Sequence, residues 1–456
     1  MPSSPRPGLV RDPDFGRLLA ATAAGQLGDR IMFLALPLVA VAALDADELH
    51  VGLLTAMVTT GSLLAGLPAG AWVDRVPKRT VMISTDLVRA LALATIPIAW
   101  WAGLLTVGWL LAVALVHGAL TAVFDAAHVS CVPHLVGRGD LVEGNAKISA
   151  VRSVTSIGGP ALAGPLVGWA GPPSALLASS LGMAVSGVLA TGIRKREQRP
   201  EPAGRPPLLR DVKEGLTFVL VNPVLRATVL GDAFFLVFLA VYQAMLLVLL
   251  PRELGLDSAG IGLVLSGMGC GALVGALCAR RLSARFGPGP VCWLAPLLTC
   301  PPTVLMPLAH PGWTVPVAAV GLAALSLGGV VRVVAQSSVQ QALTPAGMLG
   351  RMSATTRFLS GCGLPVGAVL GGAAGAALGA RSTLWIGAVG MTLSFVPGFA
   401  SPLRRMRGAP EAEDPGPARP GPPDTPSPDT PSPATGPPAR RLVGRWRTSR
   451  WRTGRR

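Results

Sequence analysis

The chain has 456 residues, of which 50% are hydrophobic and only 14% charged, and its mean hydropathy is +0.54. A soluble globular protein carries about 25% charged residues, so this much apolar surface requires lipid as its solvent and excludes a water-soluble domain. The net charge of +16 does not mark a nucleic-acid-binding module, because eight arginines lie between Arg440 and Arg456 and most other basic residues lie between apolar runs, whereas such a module carries its basic stripe on a soluble domain.

Twelve apolar runs follow one another at 16–44, 51–73, 80–101, 104–127, 148–170, 173–193, 223–250, 259–281, 290–309, 313–334, 354–378 and 383–403. Runs of about twenty residues match helices crossing a hydrocarbon core of about 30 Å. A membrane barrel would show alternating strands of about ten residues instead. Aromatic content is 5%, with Tyr242 the single tyrosine, so the hydrophobicity comes from Ala, Leu, Val and Gly, which suit close helix packing. No charged leader and cleavage site precede the first run, so the first helix is expected to be retained.

Loops on one side carry Arg75, Lys78 and Arg79, then Arg138, then Arg194, Lys195, Arg196, Arg199, Arg205, Arg210 and Lys213, then Arg280, Arg281 and Arg285, then Arg351. Loops on the other side hold little beyond Arg252 and Arg381, with an acidic first loop at Asp45, Asp47 and Glu48. The positive-inside rule therefore predicts cytoplasmic termini and a cytoplasmic central loop over 194–222. Residues 1–193 form the first half, 223–404 the second, and 405–456 a Pro- and Arg-rich cytoplasmic tail that cannot bury a core and is expected to be disordered. Its end, with Trp446 and Trp451 among the arginines, suits anionic lipid headgroups, and equally a solvated tail. Cys131, Cys270, Cys278, Cys292, Cys300 and Cys362 lie in or beside apolar runs without metal-like spacing, which reads as packing.

The halves repeat one another. Leu27-Gly28-Asp29 in the first run matches Leu230-Gly231-Asp232 in the seventh; Gly61 in the second matches Gly271 in the eighth; Arg152 precedes Pro160 by eight residues, as Arg357 precedes Pro365. The expected fold is an all-α polytopic membrane protein of twelve transmembrane helices in two pseudo-symmetric six-helix bundles. Parallel repeats of this kind place a substrate path between the halves near the midplane.

Gly70-x-x-x-Asp74-Arg75-x-x-Lys78-Arg79 resembles the major facilitator superfamily's loop motif between helices two and three, with Pro77 where the family has glycine. Further stretches resemble its enterobactin-exporter and macrolide-efflux branch: Asp86-Leu-Val-Arg89, Val132-Pro-His-Leu-Val, Leu141-Val-Glu-Gly-Asn145, Gly158-Gly159-Pro160-Ala-Leu-Ala-Gly164, Asp211-Val-Lys-Glu-Gly215 and Gly350-Arg-Met-Ser. The resemblance covers about residues 10–404. It implies that Asp74 meets a neighbouring helix N-terminus while Arg75, Lys78 and Arg79 latch the cytoplasmic side. It also implies antiport from the Gly158, Gly159, Pro160 and Gly164 pattern, where the glycines permit a bend and close packing. Helix four departs from the family, with His117, Asp125 and His128 where a membrane arginine is common.

An ionisable group deep in a membrane helix costs at least about 2.5–3.5 kcal/mol and so faces a partner or a polar cavity. Asp29, Arg30 and Asp232 are such groups. Asp29 and Asp232 are candidates to take up and release a proton, with structural pairing or capping as the alternative role. Asp86 and Arg89, at i and i+3, are expected to form a packed pair. Gln26, Phe33, Phe234, Phe235, Phe238, Tyr242 and Gln243 are candidates to line a cavity for a large, partly apolar compound, or to pack. With no His-Glu-x-x-His and no phosphate-binding loop, the chain is expected not to be an enzyme and to need no cofactor or metal. The expectation is a monomeric secondary transporter in the cell membrane, exporting a small organic molecule in exchange for protons. An importer on the same fold and a non-transporting receptor or lipid-handling protein are the alternatives, and lipids rather than nucleic acid are its surroundings.

Overall fold

The computed structural model describes residues 12–73, 75–137, 140–195, 208–345 and 348–406. The first half comprises α1 (Pro13–Leu38), continued by a π-helical turn at Val39–Ala43, then α2 (Glu48–Val73), α3 (Lys78–Trp101), α4 (Val107–Val136), α5 (Leu141–Ala170) and α6 (Pro172–Thr191). The central segment holds α7 (Leu208–Val221), a helix within the stretch expected to be a loop. The second half comprises α8 (Pro223–Arg252), α9 (Ser258–Phe286), α10 (Pro288–Thr299), α11 (Thr314–Leu343), α12 (Leu349–Gly361), α13 (Gly363–Leu378), α14 (Ala380–Leu393) and α15 (Phe395–Phe399).

Ten helical segments among the described residues are long and apolar enough to cross a membrane, with α12–α13 and α14–α15 each counting as one. The other two expected spans differ for visible reasons: glycines, prolines and hydroxyl residues dilute the apolar content of α5 over 153–170, and α10 stops after 12 residues. A 3-10 turn at Pro301–Leu305 continues α10. Pro365 cannot donate a backbone hydrogen bond, and the eleventh span divides beside it, between α12 and α13, whereas α5 runs unbroken through Pro160 and Pro165.

Each half starts alike. The Asp12 carboxylate caps α1, accepting from Asp14 N at 2.9 Å, with Pro13 as first helical residue. The Asn222 side chain caps α8, accepting from Val224 N at 2.9 Å, with Pro223 behind it. Proline fits this position because its missing N–H has no helical partner there. Glycines then set the packing: a side chain at Gly61 would strike Leu115 O on α4, and one at Gly271 would strike Ala323 O on α11. Asp12 and Asn222, Gly52 and Gly262, and Gly61 and Gly271 all share one offset of 210 residues. The packing pairs repeat accordingly, with α1 on α5 and α6 mirrored by α8 on α13 and α14, and α2 on α4 mirrored by α9 on α11.

In that register Asp29 and Asp232 are not equivalent. Asp29 is the seventeenth residue of α1 and Asp232 the tenth of α8, so at a rise of about 1.5 Å per residue their depths differ by about 10 Å.

The halves meet along α5–α9 and α2–α13. A side chain at Gly164 would strike Ser258 O, one at Gly262 would strike Pro160 O, and one at Gly52 would come within 2.6 Å of Ala368 O. These contacts all lie toward the helix ends remote from the basic loops. There one apolar cluster runs through both halves, from Leu34, Leu36 and Leu54 to Leu247, Leu250, Ile261 and Leu384. Toward the basic end the clusters separate, one around Phe15, Met82 and Leu135 in the first half and others around Val291 and Leu225 in the second. The bundle is therefore sealed at one end and parted at the basic end. Across the sealed end Arg252 Nη1 donates to Glu48 Oε1 at 2.8 Å and Arg252 Nη2 to Ala46 O at 2.8 Å, tying the halves together.

Candidate functional site

A cavity of about 340 Å³ lies between the halves, walled by α1, α2, α4 and α8. Gln26, Asp29, Arg30 and Phe33 reach it from α1 and Gln243 from α8, among Met32, Leu36, Leu54, Val58 and Leu247. This mix of apolar wall and a few convergent polar groups is typical of small-molecule sites. Ser62 and Thr121 line both this cavity and a wider opening of about 780 Å³ at the basic end, which Gly70, Asp125, Gly350 and Arg357 also bound. The path is thus continuous from the centre to the basic end.

Asp29 anchors a buried charged cluster. Its Oδ1 lies 3.6 Å from Arg89 Nη1 and 3.5 Å from His117 Nε2, and makes no hydrogen bond. Arg89 is 1% exposed and is committed elsewhere: Nη2 pairs with Asp86, Nη1 donates to Thr121 Oγ1 at 3.1 Å, and the guanidinium stacks 4.8 Å over Phe124. The Asp29 carboxylate is therefore held near two cationic or ionisable groups without being locked to either. About a quarter of its side chain stays accessible. A side pocket of about 10 Å³, bounded by Gln26, Asp29, His128 and Arg152, adjoins it, room for about one water molecule. His128 is itself held by Thr22, at 2.9 Å. This arrangement can bind a proton or a substrate donor at the same carboxylate.

Other sequence-predicted residues sit elsewhere. Asp232, Phe235 and Tyr242 do not line this cavity. Asp232 is bound by Arg332 and Gln336 of α11, and Arg332 stacks 4.1 Å over Phe235, making a closed group inside the second half. Tyr242 is fully buried and its hydroxyl donates to Thr303 O at 2.9 Å. Phe234 packs on Phe238 with ring centres 4.8 Å apart. Asp74 lies outside the described residues. Arg79 donates to Ala190 O at 3.2 Å and to Thr191 O, tying α3 to the end of α6 within the first half; Lys78 is buried and Arg75 exposed. Gly159 makes room for Arg30, Gly164 for α9, and Gly158 faces open space. The cysteines are free, two of them buried.

The Asp232 group makes a stability prediction. Removing one partner of a buried pair strands the other charge, at about 3–5 kcal/mol. Arg332→Gln is therefore expected to lower the melting temperature of the purified protein while Arg332→Lys loses less. An unchanged melting temperature in Arg332→Gln would mean that the group carries no stabilising role.

The family model described as transmembrane secretion effector matches residues 8–420. The chain belongs to this family of major facilitator superfamily transporters. Among relatives, a multidrug efflux pump, Tap, of Mycolicibacterium fortuitum is 29% identical over 393 residues, covering 80% of this chain and 90% of its own. An uncharacterized MFS-type transporter, y4rN, of Sinorhizobium fredii is 27% identical over 370 residues, covering 80% and 89%. A solved bacterial homologue of the iron transporter ferroportin, in an inward-facing state, superposes with a TM-score of 0.67 at 18% identity, over 86% of this chain and 99% of its own. The nucleoside transporter NupG gives 0.68 at 13% identity, over 86% and 98%. The chain is thus a multi-pass membrane transporter of the major facilitator fold and not an enzyme.

Proposed function

We propose that this transporter exports a small organic molecule, of drug or siderophore-like size, across the cell membrane in exchange for protons. The observation that carries the reading is Asp29: an ionisable carboxylate open to the central cavity, near the Arg89 guanidinium yet without a fixed hydrogen bond on Oδ1. The excess of Lys and Arg on the loops at the parted end supports a cytoplasmic position for that end, from which the cavity would load from inside. The likeness to an efflux pump supports the same direction. Export then requires the α5–α9 and α2–α13 seams to part while the basic end closes. A proton taken up by Asp29 from the outer side displaces the substrate there, and is released once the cavity faces the cytoplasm again.

Cells expressing the protein, challenged with a panel of fluorescent drugs, test this. Lower accumulation of at least one compound, rising to the level of non-expressing cells when a protonophore collapses the gradient, is expected. Higher accumulation in expressing cells would make the protein an importer, and efflux indifferent to the protonophore would remove the proton from the mechanism.

A further inference from the structure

Arg30 is the cavity's second charge, half-buried and held in no ion pair among the described residues. Its Nε is buried with no hydrogen-bond partner, and among the described residues no ion pair holds its head. Arg89, by contrast, has Asp86 and Thr121. Asp29 is the adjacent residue but points away: successive side chains on a helix diverge by about 100°, and Asp29 reaches α3 and α4 while the Arg30 stem lies against Gly159 of α5. That stem is pinned, since a Cβ on Gly159 would come within 2.7 Å of Arg30 Cβ and Cγ. The guanidinium thus enters the cavity from a fixed root, on a different side from the carboxylate. Both charges line one space, with His117 a third ionisable group on its wall beside Asp29 and most of the remaining surface apolar.

A guanidinium with free donors is matched by a carboxylate or a similar oxygen anion. A carboxylate with an accessible oxygen is matched by an ammonium or hydroxyl. We propose that the cavity selects amphiphiles that carry an oxygen anion and a hydrogen-bond donor close together on an apolar body, the anion seated on Arg30 and the donor on Asp29. This rests on the export reading above and sharpens it. A proton on Asp29 removes the acceptor that the substrate donor needs, so proton and substrate exclude one another. The Arg30 seat keeps the bound substrate oriented with its donor at that carboxylate.

Three compounds of matched shape test the assignment: L-4-phenylphenylalanine, which has both groups; its amide, which lacks the anion; and 3-(4-biphenylyl)propanoate, which lacks the donor. Binding to the purified full chain in detergent is measured by microscale thermophoresis. The amino acid is expected to bind about tenfold more tightly than either analogue. Arg30→Gln is expected to erase its advantage over the amide alone, Asp29→Asn its advantage over the propanoate alone, and Arg30→Lys to retain most of the first. Equal affinities for the three compounds in the wild-type protein, no saturable binding of the amino acid, or an advantage over the amide that survives Arg30→Gln overturns the proposal. The wild-type comparison decides the matter even if a variant fails to fold. Intact selectivity in a protein that shows no protonophore-sensitive efflux would leave the proposal standing and sink the export reading only.

Discussion

Asp29→Asn is expected to abolish gradient-driven export while still allowing exchange of substrate for substrate at saturating concentrations. The amide keeps the size and one acceptor oxygen of the carboxylate but does not gain or lose a proton in the physiological range. In reconstituted vesicles with an imposed pH difference, uphill movement of the exported compound should fall at least tenfold, to the level of empty vesicles, and counterflow should persist within a few-fold. Asp232→Asn is expected to retain the coupling, because Asp232 is enclosed with Arg332 and Gln336 outside the cavity. Full uphill transport by Asp29→Asn would place the proton elsewhere.

Enlarging the glycines at the seams should separate two kinds of contact. A side chain at Gly262 strikes Pro160 O and one at Gly52 strikes Ala368 O, both across the junction of the halves, and the halves can relieve the clash by parting there. A side chain at Gly118 strikes Val58 O within the first half, where no rigid-body motion helps. Overpacking costs about 1–3 kcal/mol, and 1.4 kcal/mol is tenfold in a population. Gly52→Val and Gly262→Val are therefore expected to shift the population about tenfold or more toward opening of the sealed end. A single cysteine at Leu250, buried in the apolar cluster that closes that end and not on the wall of the central cavity, should then be alkylated correspondingly faster. Gly118→Val should instead lower the yield of folded protein. Equal behaviour of the three variants would show that the seams are not the moving surfaces.

Much of this architecture was legible in the chain. Run length marks ten of the twelve expected spans, because lipid leaves the backbone no partner but its own helix, and Gly61 and Gly271 mark equivalent helix crossings because only glycine admits a backbone carbonyl there. The i, i+3 spacing of Asp86 and Arg89 suffices for their pairing, since both sit on one helix. What escaped depends on how each helix is rotated about its axis, which single-helix periodicity does not record. Asp232, Phe235 and Tyr242 look like cavity residues on α8, yet α11 and the turn after α10 claim them. Arg332, a charge inside the tenth apolar run, was a signal that a partner exists, but nothing in the sequence points to Asp232 100 positions away, and Gln336 is lost among the neighbouring Ser337, Ser338, Gln340 and Gln341. The shared Leu-Gly-Asp of the two halves misleads because it recurs out of register with the 210-residue offset that the caps and glycines keep. His117 stands out in the sequence as a helix-four polar residue and Thr121 does not, and their meeting with Asp29 and Arg89 needs three helices at once. The α7 helix was obscured by its basic, Pro-rich surroundings.

The direct test of the account is whether substrate and proton compete for one carboxylate. Purified protein in weakly buffered detergent solution, mixed with a compound identified by the accumulation assay, can be followed with a pH indicator. Release of a proton on binding by the wild-type protein, lost in Asp29→Asn, is the predicted result; binding that releases no proton, or releases it equally in both proteins, contradicts it.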